Sequence, residues 1–116
     1  MSASFRRMAK ITASTKRPPA LDANGMRGEP VAEIAELTCT PLDPAEDQKA
    51  RDLALRLRQV IDGPFELLNT FVDASLDIVE GDVLVVSGVE YPVRGVDMWA
   101  WRNSNYLRLL LEQSKA

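Results

Sequence analysis

The stretch "GDVLVVSGVEYPVRGVDMWAWRNSNYLRLLLEQ", Gly81 to Gln113, constrains the fold more than any other part of the chain. Three extended segments follow one another, separated by "SGVE" and "RNSN", connections too short for anything but antiparallel hairpins. Gly88 supplies the positive φ that such turns require. Val83 to Val86 form an apolar run expected to be covered on both faces. Leu107, Leu109 and Leu111 alternate with Tyr106, Arg108 and Glu112, so the last strand has an apolar face and a second, mixed face. Pro92 places the start of the middle strand at an edge or a bulge.

The same reading extends upstream. "FELLNTFVD" (Phe65 to Asp73) is a strand with Phe65, Leu67 and Phe71 on one face and Asn69 among them. "MAKITAS" (Met8 to Ser14) alternates as a first strand. "VAEIAELTCT" spaces Val31, Ile34 and Leu37 by three, a helical interval, yet ends in β-leaning residues. The segment reads as a strand over 31–40 with a bulge near Ala35. "LDPAEDQKARDLALRLRQV" carries helix signals: Asp43 as cap, Pro44 at the first position, Glu46 and Asp47 at the positive dipole end. Ala50, Leu53, Ala54 and Leu57 form one apolar stripe, which predicts a helix over 44–57.

These elements make one domain over residues 1–116: mainly β, a small antiparallel barrel or sandwich with one inserted helix and an extended N-terminal arm. A basic arm covers 1–7, a long loop 17–30 and a helical insertion 43–60. With 46% hydrophobic and 27% charged residues, a core forms without crosslinks. The N-terminus lacks the apolar region of a secretory signal, and no apolar run is long enough for a membrane span. The expected protein is soluble and remains where it is made.

The chain has no histidine and one cysteine, Cys39, which excludes a Ser-His-Asp triad, a Cys-His pair, a disulfide and ordinary zinc ligand sets. No phosphate-binding glycine motif is present, and no cofactor is expected. Asp77, Glu80 and Asp82 cluster around one turn. Paired-carboxylate or calcium chemistry is conceivable there, but a turn preceding a strand accounts for them more simply. The chain reads as a non-enzyme.

Charge is distributed unevenly. Residues 1–28 hold six basic side chains against Asp22, whereas the remainder holds eight basic and sixteen acidic ones. A basic arm with Phe5, Arg6, Arg7 and Lys10 on an acidic body suits docking on an acidic protein better than reading DNA, which the body would repel. Trp99 and Trp101 share a strand face next to Arg102. They serve either as core or as interface, stacking on bases or anchoring a partner. Met98 and Ala100 make the opposite face apolar too, so both sides of that strand can be covered; in a monomer one of those covers would be missing, which favours an interface on one face.

Over residues 76–112 the chain resembles the head-closure, or stopper, proteins of long-tailed bacteriophages, a head–tail joining family. The matching residues are Asp77, Ile78, Gly81 and Asp82, then Gly88, Tyr91, Val93 and Val96, then Leu107, Leu109, Leu111 and Glu112. Asp22 to Gly25 matches the family's loop after the first strand. The chain departs from the family where "PVAEIAEL" has no tryptophan and in the helical character of 43–60. The resemblance implies a virion protein assembled in the host cytoplasm into a homo-oligomeric ring, typically of twelve copies. The ring would lie below the portal and adaptor and above the tail or tail terminator, with packaged DNA in its lumen and no membrane contact. The arm and the Trp99, Trp101 and Arg102 strand would then meet partners. Either the long loop, with Asp22 and Asn24, or the insertion, with Asp43, Glu46 and Asp47, would face the channel. The alternatives are another connector part, such as a tail terminator or adaptor, or a small OB- or SH3-like module binding nucleic acid through residues 5–17.

Overall fold

The structure, a computed structural model, describes residues 11–17, 31–101 and 104–115. Among these residues, seven antiparallel strands and one helix follow in the order β1 (Ile11–Arg17), β2 (Val31–Cys39), β3 (Asp43–Pro44), α1 (Gln48–Leu57), β4 (Phe65–Asp73), β5 (Val83–Val86), β6 (Val89–Trp101) and β7 (Ser104–Ser114). Their spatial order is β2-β1-β5-β6-β7-β4-β3. The mainly β fold with one inserted helix is therefore as expected. The basic arm, residues 18–30 of the long loop and the beginning of the expected first strand lie outside the described residues. β1 runs on to Arg17, because Lys16 and Arg17 pair with Ala32 and Val31 of β2.

The sheet curls until its ends meet at Thr40. The Thr40 amide donates to the Phe71 carbonyl at 3.1 Å. The Phe71 amide donates to Thr40 Oγ1 at 2.9 Å, and the Thr70 hydroxyl to the Thr40 carbonyl at 2.6 Å. One threonine thus carries the chain from pairing β1 to pairing β4, which gives the barrel its seam. The expected bulge is present: the β1–β2 register shifts between Ala13 and Thr15, opposite the step from Leu37 to Ile34.

β5 and β6 join through Ser87 and Gly88, both at positive φ (51° and 80°), as a two-residue hairpin of the primed kind requires. β6 then changes partner. Residues 89–92 pair with β5 and residues 93–101 with β7, with a register shift between Val93 and Gly95. Pro92 sits at that handover, where no β7 partner asks for its missing N–H. Leu84 is fully buried while Val83, Val85 and Val86 are half-buried, so the apolar run is covered only in part on its second face.

The main core joins Leu84, Val93, Leu107, Leu109 and Leu111 with Leu37, Leu68 and Val72. β7 buries its second face as well. Leu110 and Leu67 lie beneath Ala50, with Leu53, Ala54 and Leu57 packed against them. Gly95 makes room there: a Cβ on it would lie 3.2 Å from Leu53 and 3.3 Å from Leu110. The apolar stripe of the helix is as expected, but its start is not. Asp43 and Pro44 pair with Asn69 and Leu68 as β3, and the Ala45 amide donates to the Leu67 carbonyl at 2.9 Å. Tertiary pairing outcompetes the local cap signal, and the helix begins four residues later than expected.

Candidate functional site: the overhanging hairpin and its charged anchor

β6 and β7 continue past their neighbours. β4 ends at the Asp73–Tyr106 pair, yet β6 and β7 pair on through Ala100–Asn105 and Trp101–Ser104. At this end the core stripe of β6 outruns its cover. Val96 is half-buried, Met98 is 61% exposed and Ala100 is exposed. The face of β6 that carries Met98 and Ala100 is thus uncovered in the single chain. On the opposite face Trp99 is 45% exposed.

Beneath Trp99 lies a charged cluster. Arg108 is 2% exposed and closed in from two sides. Its Nη1 and Nη2 donate to the Asp47 carboxylate at 2.6 and 3.1 Å. Its Nη2 and Nε donate to Asp97 Oδ2 at 2.6 and 3.0 Å. Lys49 adds a second cation on Asp97. The guanidinium carbon lies 5.0 Å from the centroid of the Trp99 ring, and that ring meets Phe71 edge-on at 5.4 Å. A fork of planar donors between two carboxylates under an aromatic face is the geometry arginine suits and lysine does not.

The chemistry of this cluster is that of a clamp. Burial pushes the Asp97 carboxyl up, but hydrogen bonds from Lys49 and Arg108 outweigh it and hold it below its ordinary value. The Arg108 hydrogen bond lowers Asp47. Burial lowers Arg108, and the two carboxylates more than reverse this. Asp47, Asp97 and Arg108 are each held in the charged form, so none of the three is poised to pass a proton near neutrality. The cluster instead ties the start of α1 to β6 and β7 and fixes Trp99 in place.

The expected site residues fare differently. Phe5, Arg6, Arg7, Lys10, Asp22, Asn24 and Arg102 lie outside the described residues, as does the side chain of Trp101. Asp43 and Glu46 are exposed. Asp47, the third residue expected at a channel-facing position, is exposed too and accepts hydrogen bonds from Arg108. For Arg108 the sequence offers one signal, a lone arginine among the leucines of "YLRLLLE", and for Asp97 it offers none. The mixed face that Arg108 shares with Tyr106 is buried rather than open.

The acidic turn is architectural. Asp82 is 1% exposed and accepts from Arg17 Nε at 2.8 Å, Arg17 Nη2 at 3.1 Å and the Val79 amide at 3.1 Å. Arg17 also pairs with Asp77 at 3.5 Å. The carboxylates thus fasten the 77–82 turn to the end of β1. Among the described residues no three potential ligands converge on a metal position.

No family model matches the chain, and no curated protein matches its sequence. Among solved structures it is similar to protein SF1141 from Shigella flexneri 2a, known from a solution structure. The likeness covers 94% of this chain and 96% of that one, at a TM-score of 0.56 and 11% identity. At that identity it speaks for the fold alone.

Proposed function

We propose that the chain is a structural subunit of the head–tail connector of a tailed bacteriophage, of the head-closure kind. Copies form a ring between the portal–adaptor complex and the tail and help retain the packaged DNA. The observation that carries this reading is the overhanging hairpin. An end of β6 that exposes Met98 and Ala100 on one face and part of Trp99 on the other, with Trp99 braced by a buried arginine, is a protein-contact element. The residues of the resemblance support it, because Gly81, Asp82, Gly88 and the three leucines of β7 are turn and core positions, as a rigid ring wall needs. The acidic balance of residues 29–116 also suits a lumen through which DNA passes without adhering.

Co-purification with the cognate portal–adaptor ring tests the reading. The full chain is expected to bind that ring, and the double variant M98D/W99A to lose roughly a hundredfold in affinity while keeping its far-ultraviolet circular dichroism spectrum. Failure of the unaltered chain to bind, or binding of short oligonucleotides at low salt instead, overturns it.

A further inference from the structure

The same hairpin has an open edge as well as open faces. Among the described residues, no strand lies on the other side of β6 from Gly95 to Trp101, since β5 pairs only with residues 89–92. Two residues separate Trp101 from Ser104, which makes 101/104, 99/106 and 97/108 the hydrogen-bonded pairs with β7. The main-chain N–H and C=O groups of Val96, Met98 and Ala100 therefore point away from the barrel.

Natural edges of this kind carry lysine, proline or a bulge that discourages pairing. The outer edge of β2 is guarded in this way, with exposed Glu36 beside the bulge at Ala35. Beyond Gly95, β6 reads "VDMWAW" and has none of these devices.

We infer that this edge pairs antiparallel with the same edge of a second copy, about a two-fold axis at Met98. Strand complementarity and charge both fit a copy of this chain. With Met98 opposite Met98, Val96 meets Ala100 of the second copy and the outward groups form about six main-chain hydrogen bonds. Asp97 then faces the second copy's Trp99 and not its own counterpart. Its charge is already matched by Arg108 and Lys49, so no like charges oppose one another. The Met98 and Ala100 stripes of the two copies join into one continuous apolar strip on a shared sheet face. The contact is isologous and closes at two copies. It is therefore separate from the head-to-tail contacts of a ring and does not depend on the connector reading.

Sedimentation velocity on the full chain from about 5 to 500 μM tests it, because two short strands bury less than a standard interface and bind weakly. A reversible monomer–dimer equilibrium is expected. Ala100→Pro removes one outward N–H that its own barrel does not use, and Met98→Lys sets two cations across the axis. Each should weaken the dimer at least roughly tenfold, with the thermal midpoint of the dilute monomer unchanged. Met98→Cys should crosslink to its copy under mild oxidation, because paired Cα atoms about 5.5 Å apart admit a disulfide. Val89→Cys, on an exposed residue away from this edge, should not. A chain monomeric throughout, a dimer indifferent to Ala100→Pro, or equal crosslinking of the two cysteine variants overturns the inference.

Discussion

Arg108 shows how one residue can be costly and necessary together. Taking a guanidinium to 2% exposure forfeits its hydration, and only closely placed carboxylates offset that loss. Its two partners are unequal. Asp97 is almost as buried, whereas the Asp47 side chain is 41% exposed and keeps much of its water. Removing the arginine therefore strands a buried carboxylate with Lys49 alone, while neutralising Asp47 leaves Asp97 in place. Arg108→Met is expected to cost about 3–5 kcal/mol in urea unfolding, and Asp47→Asn about 1 kcal/mol. Near-ultraviolet circular dichroism should lose intensity in the first variant only, because the Trp99 ring loses the cation beneath it. Equal costs for the two variants would refute this division of labour.

At the scale of elements, what could be read from the sequence was what neighbours in the chain decide. The β5–β6 and β6–β7 hairpins follow from alternation and turn residues a few positions apart. The stripe from Ala50 to Leu57 follows from helical spacing. The start of α1 was not legible, since Asp43 and Pro44 carry a good local cap signal that β4, more than twenty residues away, overrides by pairing. Asp97 and Arg108 were hidden for the same reason: only the β6–β7 register makes them opposite one another. Turn chemistry, being local, also permits a clean prediction. Ser87 sits at φ 51°, where a side chain other than Asn, Asp or Gly is disfavoured. Ser87→Asn would create the Asn-Gly pair preferred by such hairpins and should stabilise the protein by about 0.5–1 kcal/mol. Ser87→Val should destabilise it by about as much or more. Urea midpoints of the two variants falling on the same side of the parent would contradict this.

Over the whole molecule, ionisation is arranged so that charged acids and a neutral thiol both favour the folded chain. Asp47, Asp73 and Asp97 all lie below their ordinary values; for Asp73 the cause is hydrogen bonding from the Ser75 amide and hydroxyl. For such groups the unfolded chain takes up protons first. Their contribution is therefore complete above the unfolded carboxyl value of about 4 and is lost as pH falls through the depressed folded values. Cys39 is displaced the other way, raised chiefly by burial. Its contribution is complete below the ordinary thiol value and is lost as pH rises through the raised folded one. With no histidine in the chain, no side chain with an ordinary pKa titrates between these limits. Urea midpoints should therefore be flat from about pH 5 to 8 and fall steeply below about pH 4. Asp47→Asn should lie below the parent on the plateau and converge with it in strong acid, because protonation makes in the parent the change that the substitution makes permanently. A constant gap between the two curves down to about pH 2 would show that Asp47 acts through packing and not through its charge.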